Sequence, residues 1–412
     1  MTVGKKSPEI RFKGFTGEWA NKNIGDIFQV TSGATPLRRD ARFFENADMS
    51  WVKTTDLNNG VILKTEEKIS QIALVETSVK ILPKGTVFVA MYGGFNQIGR
   101  TGLLETEATC NQALSAIYPN DKVVPYYLLT YLNLNVDAWK DLAASSRKDP
   151  NITKSDVLAF PFLYPSIKEQ TKIGKHFQKL DSLINQYQQK HDKLSSLKRA
   201  MLEKMFPKQG ETIPEIRFKG FSGEWEESSL AEEAVVTTGY PFDSADFSED
   251  GDLLVITNGN IQNSSSAVDG KVGNRIASEK VTHLNQYKLN FGDILVTMDG
   301  SVGRTAKVID RKQILAQRVG RLVARNDTEF LYQSLNTGAF LETMTTISHG
   351  GTIKHISLLE IGSYIVQVPK DLNEQAKVGN YFQKLDVLIA QHQQQITKLT
   401  NIKQACLSKM FV

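Results

Sequence analysis

Two arginines stand on matching glycine-rich turns. Residues 91–102 read MYGGFNQIGRTG and residues 298–306 read MDGSVGRTA, which aligns Arg100 with Arg304. An arginine on such a turn is either the exposed tip of an ordinary hairpin or a group that reaches DNA phosphate or a guanine edge. The first turn also carries Asn96 and nearly spells a phosphate-binding loop, Gly94-x4-Gly99-Arg100-Thr101. Arginine stands where that motif requires lysine, and Met298 falls where the second turn would need the first glycine, so nucleotide binding is not indicated. Asp149-Pro150-Asn151-Ile152 echoes an amino-methyl-transfer motif but lacks its second proline and its aromatic residue. No glycine-rich strand-turn-helix offers a methyl-donor site, and the carboxylates are scattered rather than clustered as in a nuclease. The groups present are suited to gripping a polyanion, and those needed for chemistry on it are missing.

Other polar and basic loops could join these arginines. In the first half they are Thr31–Arg39 with Arg38 and Arg39, Lys53 behind Trp51-Val52, and Ser145–Lys148 with Arg147 and Lys148. In the second half they are Thr238–Phe242 around Tyr240, Asn258-Gly259-Asn260, Arg318, and His349–Lys354 with His349 and Lys354 at its ends. Each alone is an ordinary surface loop. Together they suggest two separate surfaces that differ in shape and chemistry.

An internal repeat sets the elements that must position these loops. Residues 8–19 (PEIRFKGFTGEW) return at 214–225 with the single change of Thr16 to Ser222. Residues 169–206 return at 374–411 with 22 of 38 positions identical. An offset of 205–206 residues is far too long for a solenoid unit, and it reads as a duplicated globular part followed by a helix. The middles have diverged while the ends have not, as expected if the ends share a scaffold task.

The repeated ends predict long helices. Large side chains recur at Ile173, Phe177, Leu180, Ile184, Tyr187, His191 and Leu194, and again at Val378, Phe382, Leu385, Ile389, His392, Ile396 and Leu399. This is the 3.5-residue period of a coiled-coil seam, so Phe177, Leu180, Ile184, Tyr187, Phe382, Leu385, Ile389 and His392 are expected to face a partner helix. The simplest partner is the other copy, packed antiparallel; the alternative is two helices that each lie on their own domain. His191 and His392 read as packed side chains, because no second ligand accompanies them at metal-binding spacing. Pro207 stops the first helix. The segment Lys168–Lys208 carries 10 basic residues against 4 acidic ones, either a solvated face or an approach to phosphate.

Strands are expected around Trp51–Lys53, Thr86–Ala90 and Ala113–Ile117, and around Leu253–Ile256, Ile294–Thr297 and Gly320–Val323. The resulting class is α+β: two globular domains, 1–165 and 214–370, with repeated helices at 166–207 and 371–412 and a linker at 208–213. The 412 residues, 41% hydrophobic and 23% charged, suffice for cores without a staple. Cys110 and Cys406 lie outside any metal or disulfide spacing. The start has no apolar signal core and no run approaches a membrane span, so a cytosolic location is expected. The net charge of +4 decides nothing by itself.

These motifs resemble type I restriction-modification specificity subunits. The resemblance rests on PEIRFKGFTGEW at each domain start, on SGATPLRRDARFF…WVKTTDL and TTGYPFDSADF…ITNGNIQ, and on HGGTIKHIS followed by EQAKVGNYFQKLDVLI. The first half departs at RKDPNITKSD, which lacks the glycines of HGGTIKH. The resemblance implies a non-catalytic subunit whose two domains each read one half of a split double-stranded DNA target. It implies paired helices that space the domains and bind two methyltransferase subunits, with restriction and translocase subunits as further partners. No cofactor is expected in this chain, and S-adenosylmethionine would belong to the methyltransferase. A stand-alone regulator with two DNA-binding domains is the competing reading.

Overall fold

The computed structural model describes residues 7–144, 150–262 and 265–412. They form two compact units, Met1–Tyr187 with Gln395–Val412 and Gln188–Gln394. Each unit thus contains one globular head and half of each of two 39-residue helices, Ile167–Met205 and Leu372–Met410. The division falls inside the helices, at Tyr187/Gln188 and Gln394/Gln395.

The heads share one frame. In the first, strand Val87–Ala90 lies between Leu114–Ile117 and Thr101–Leu104, with Val30–Ser32 and Gly60–Ile62 at the edges. In the second, Ile294–Thr297 lies between Val319–Ala324 and Thr305–Lys307, with Ala234–Thr238 at one edge. Both central strands are buried at every position, which is why each reads as an unbroken apolar run. A glycine at positive φ opens each of them, Gly85 at 90° and Gly292 at 91°. A smaller sheet in each head pairs Met49–Val52 parallel to Thr109–Cys110, and Leu253–Ile256 parallel to Gln313–Leu315. The expected strands are all present. The near-P-loop does not lead into a helix: residues 91–100 connect two antiparallel strands, which removes the phosphate-cradling geometry.

The long helices pair antiparallel within each unit. In the first unit Asp181 binds Lys403 at 2.6 Å, and the ring of Phe177 lies 5.8 Å from that of Phe411. In the second unit Asp386 binds Lys198 at 2.6 Å, and Phe382 lies 6.0 Å from Phe206. Each contact is the image of its counterpart 205 residues away, so the duplication holds in packing within each unit as well as in sequence. The seam is not uniform. Ile173, Phe177 and Leu180 enter the core of the first head together with Leu407, Met410 and Phe411. Val378, Phe382 and Leu385 enter the second with Leu202, Met205 and Phe206. Ile184, Tyr187, Ile389 and His392 are half-buried. Each helix therefore roots in its own head and also serves its sister helix.

The repeated PEIRFKGF segment is a strap across these roots. Arg11 makes a two-pronged contact with Glu169 at 2.8 and 2.6 Å, and Arg217 does the same with Glu374 at 2.6 and 2.7 Å. Both carboxylates sit in the first turn of a long helix, where the helix dipole favours them. The strap backbone also serves the end of the opposite helix: Ile10 N–H donates to the Lys409 carbonyl and Ile216 N–H to that of Lys204, carbonyls that a helix terminus leaves open. Trp19 and Trp225 close the strap inside the two cores. Glycine within a helix costs about 1 kcal/mol relative to alanine. Gly379 is nonetheless required, since a Cβ there would stand 2.4 Å from Asp327 Oδ1.

Candidate nucleic-acid interface

In each head one turn gathers the loops that carry the candidate residues. In the first head it is Cys110–Ala113. The Ala34 N–H donates to the Cys110 carbonyl at 3.0 Å, the Asn111 N–H to Val52 at 3.0 Å, and the Met91 N–H to Ala113 at 2.8 Å. The corresponding turn of the second head is Leu315–Arg318. Tyr240 N–H donates to Leu315 at 2.9 Å, Ala316 N–H to Ile256 at 2.9 Å, and Met298 N–H to Arg318 at 3.3 Å. Gly33 and Gly239 explain the shared Thr-x-Gly: a Cβ would stand 2.1 Å from the Cys110 oxygen or 2.2 Å from that of Leu315. Cys110 is buried at this turn, and burial pushes its thiol pKa up to about 12, so it is an inert packing group.

The first head presents a charged cluster. Arg38 binds Glu67 at 2.6 Å while its guanidinium lies over the rings of Phe44 and Trp51, 4.8 and 5.0 Å from their centres. Lys53 lies between Glu67 at 2.7 Å and Glu66 at 3.2 Å. Hydrogen bonds from Arg38 and then Lys53 hold the Glu67 carboxyl below its ordinary range. Arg39 and Asn96 are exposed. Arg147 and Lys148 lie outside the described residues.

The second head is organised about Asp299. Its carboxylate binds Arg318 at 2.9 Å and His355 Nδ1 at 2.5 Å. Burial pushes this carboxyl up, but the hydrogen bonds from His355 and Arg318 outweigh it and hold the group below the usual range. His349 and His355 bond each other through their backbones at 2.9 and 2.8 Å, which closes HGGTIKH into a hairpin. The Gly300 N–H donates to the Lys354 carbonyl at 2.8 Å. Asn258 accepts from the Met298 N–H at 3.2 Å, and His349 binds Glu360 at 2.7 Å. The Tyr240 ring belongs to an aromatic group with Phe242 and Tyr287. Tyr240, Asn258, Arg318, His349 and Lys354 are thereby brought around two adjoining turns. Arg100 and Arg304 sit at the bases of their loops, fixed through backbone bonds to Ala90 and Thr297. Both are half-buried, and among the described residues neither guanidinium has a hydrogen-bond or ion-pair partner.

The countercharges Glu66, Glu67 and Asp299 are not singled out by the sequence, nor is His355, which binds Asp299. The one signal for them is that an exposed cation held in one pose needs an acidic neighbour. Among the described residues no cluster of His, Cys, Asp and Glu has a metal-binding arrangement, and no helix is long and apolar enough to cross a membrane.

Fold and loops define a two-headed protein whose heads share a frame and differ in surface chemistry. The sequence model of the type I restriction modification DNA specificity domain matches twice, at residues 16–196 and 222–401. The chain belongs to the type I restriction-modification DNA specificity family. It is 23% identical over 181 residues to the EcoR124I/EcoR124II specificity subunit of Escherichia coli, 43% of this chain and 44% of that one. It is 28% identical over 194 residues to the MjaIX specificity subunit of Methanocaldococcus jannaschii, 46% of this chain and 44% of that one. These two matches thus span less than half the length of those relatives. A longer match, 21% identical, joins 90% of the chain to 87% of the MjaVIII specificity subunit of the same archaeon. The crystal structure of the type I restriction-modification S subunit from M. genitalium superposes with a TM-score of 0.70 over 98% of this chain and 99% of that one, at 16% identity, a likeness of fold.

Proposed function

We propose that this chain is the non-catalytic DNA-reading subunit of a type I restriction-modification complex and recognises a split, asymmetric double-stranded target. The observation that carries the reading is a shared frame with different side chains at equivalent points. Ala113 and Arg318 occupy the same place in the gathering turn, and Lys53 and Thr257 the same place after the parallel strand. Heads that differ at such points read different bases. The free guanidiniums of Arg100 and Arg304 and the exposed Arg39 and Lys354 supply phosphate contacts, which position the heads without specifying sequence. Methyl transfer, with S-adenosylmethionine, belongs to a methyltransferase partner. The chain is expected to bind duplex DNA with a steep loss of affinity as salt rises. It is also expected to methylate DNA only when that partner is added; methylation by the chain alone would refute the non-catalytic role.

The helices suggest where the partner docks, and that it does so twice. Leu197 is 38% exposed and its image Ile402 is 39% exposed; Ile167 and Leu372 form a second exposed apolar pair at the same offset. Leu197 adjoins the Lys198–Asp386 bond in the second unit, and Ile402 adjoins the Asp181–Lys403 bond in the first. Duplicated apolar positions on a duplicated scaffold fit two copies of one partner better than they fit a stand-alone regulator. Ile402→Asp and Leu197→Asp are each expected to remove one methyltransferase copy, and the double variant both, as read by native mass spectrometry. Undiminished stoichiometry in the double variant would exclude these positions.

A further inference from the structure

The Asp299 group deepens that reading, on which it rests: the geometry points to Arg318 as the guanine-reading side chain of the second head, aimed by Asp299. Arg318 is a non-glycine residue at positive φ, 67°. This left-handed backbone is disfavoured for arginine and survives where the surroundings impose it. Here the surroundings do, because the Arg318 carbonyl accepts from Met298 and its guanidinium is held by Asp299. The equivalent Ala113 offers only a methyl group, so the first head cannot make this contact at that position.

The pose suits a base edge. Arg318 remains 63% exposed and spends one N–H on Asp299. Its planar fork keeps the other donors for the paired acceptors of guanine O6 and N7, the commonest specific arginine contact in the major groove. Asp299 is shielded by the guanidinium and by His355, and its side chain is 16% exposed. It can therefore fix the arginine without presenting a bare carboxylate to the DNA. The His355 Nδ1 donates to Asp299, which leaves Nε2 to accept from an amino group of a neighbouring base. A phosphate-binding arginine needs none of this rigidity, since phosphate contacts are sequence-blind.

The test is selection from randomised duplex DNA by the full chain assembled with its methyltransferase partner, as wild type, Arg318→Ala, Arg318→Lys and Asp299→Asn. Wild type is expected to enrich two specified stretches. In Arg318→Ala the preference for guanine at one position of one stretch should fall about 10- to 100-fold, the other stretch staying unchanged. Arg318→Lys should keep part of that preference, and Asp299→Asn should blur the same position. Uniform weakening across all sequences would make Arg318 a phosphate contact and overturn the assignment. So would full selectivity in Arg318→Ala. A wild-type complex that enriches no sequence would overturn the DNA-reading function itself, and this assignment with it.

Discussion

Arg11→Ala is expected to destabilise the first unit by about 3–5 kcal/mol, the cost of leaving a buried charge without its partner. Glu169 is 2% exposed and Glu374 is 1% exposed, so neither carboxylate can turn to water when its arginine goes. Arg217→Ala should do to the second unit what Arg11→Ala does to the first. Urea unfolding followed by the hydrogen exchange of each unit separates the two effects. Replacing both partners, Arg11→Met with Glu169→Leu, should recover most of the loss, because removing a whole buried ion pair is often near neutral. If the single variants were as stable as the parent, the strap would be an adornment and not a clamp.

Phe411→Ala should cost the first unit about 3–5 kcal/mol, as truncations of buried aromatic side chains do. Phe411 directly follows the second long helix, Leu372–Met410, yet its ring packs on Trp19, Tyr127 and Phe177 in the first unit. Phe206 is its image and packs on Trp225, Phe330 and Phe382 in the second. Phe206→Ala is therefore expected to loosen the second unit. Limited proteolysis reads the result: cleavage of the first head in the Phe411 variant and of the second head in the Phe206 variant. The reverse pattern, or none, would contradict the assignment of each helix end to the opposite copy's head.

Much of this was legible in the residue order, because the features that repeat are local and periodic. The steps Ile173-Phe177-Leu180 and Val378-Phe382-Leu385 mark a buried helix face by spacing alone, and a 205-residue offset marks the duplication. The paired glycine turns with Arg100 and Arg304 were visible for the same reason. What was hidden is long-range. Arg11 meets Glu169 across 158 residues, Arg38 meets Glu67 across 29, and Asp299 meets His355 across 56. No sequence period announces such a pair. The seam was legible as a stripe, but not that its ends sink into the heads, since an apolar side chain reads alike whether it faces a helix or a sheet. Arg38 and Lys53 looked like free cations, and only the folded chain shows the carboxylates that hold them.

Under the proposed function, two unlike heads on a duplicated helical scaffold read two different stretches of DNA. Exchanging the second head, residues 226–368, for that of a relative with another specificity tests it most directly, with methylated sites then mapped across a genome. One specified stretch of the target should then change completely while the other keeps every base. A hybrid that alters both stretches, or a parent target that is one uninterrupted sequence, would contradict it.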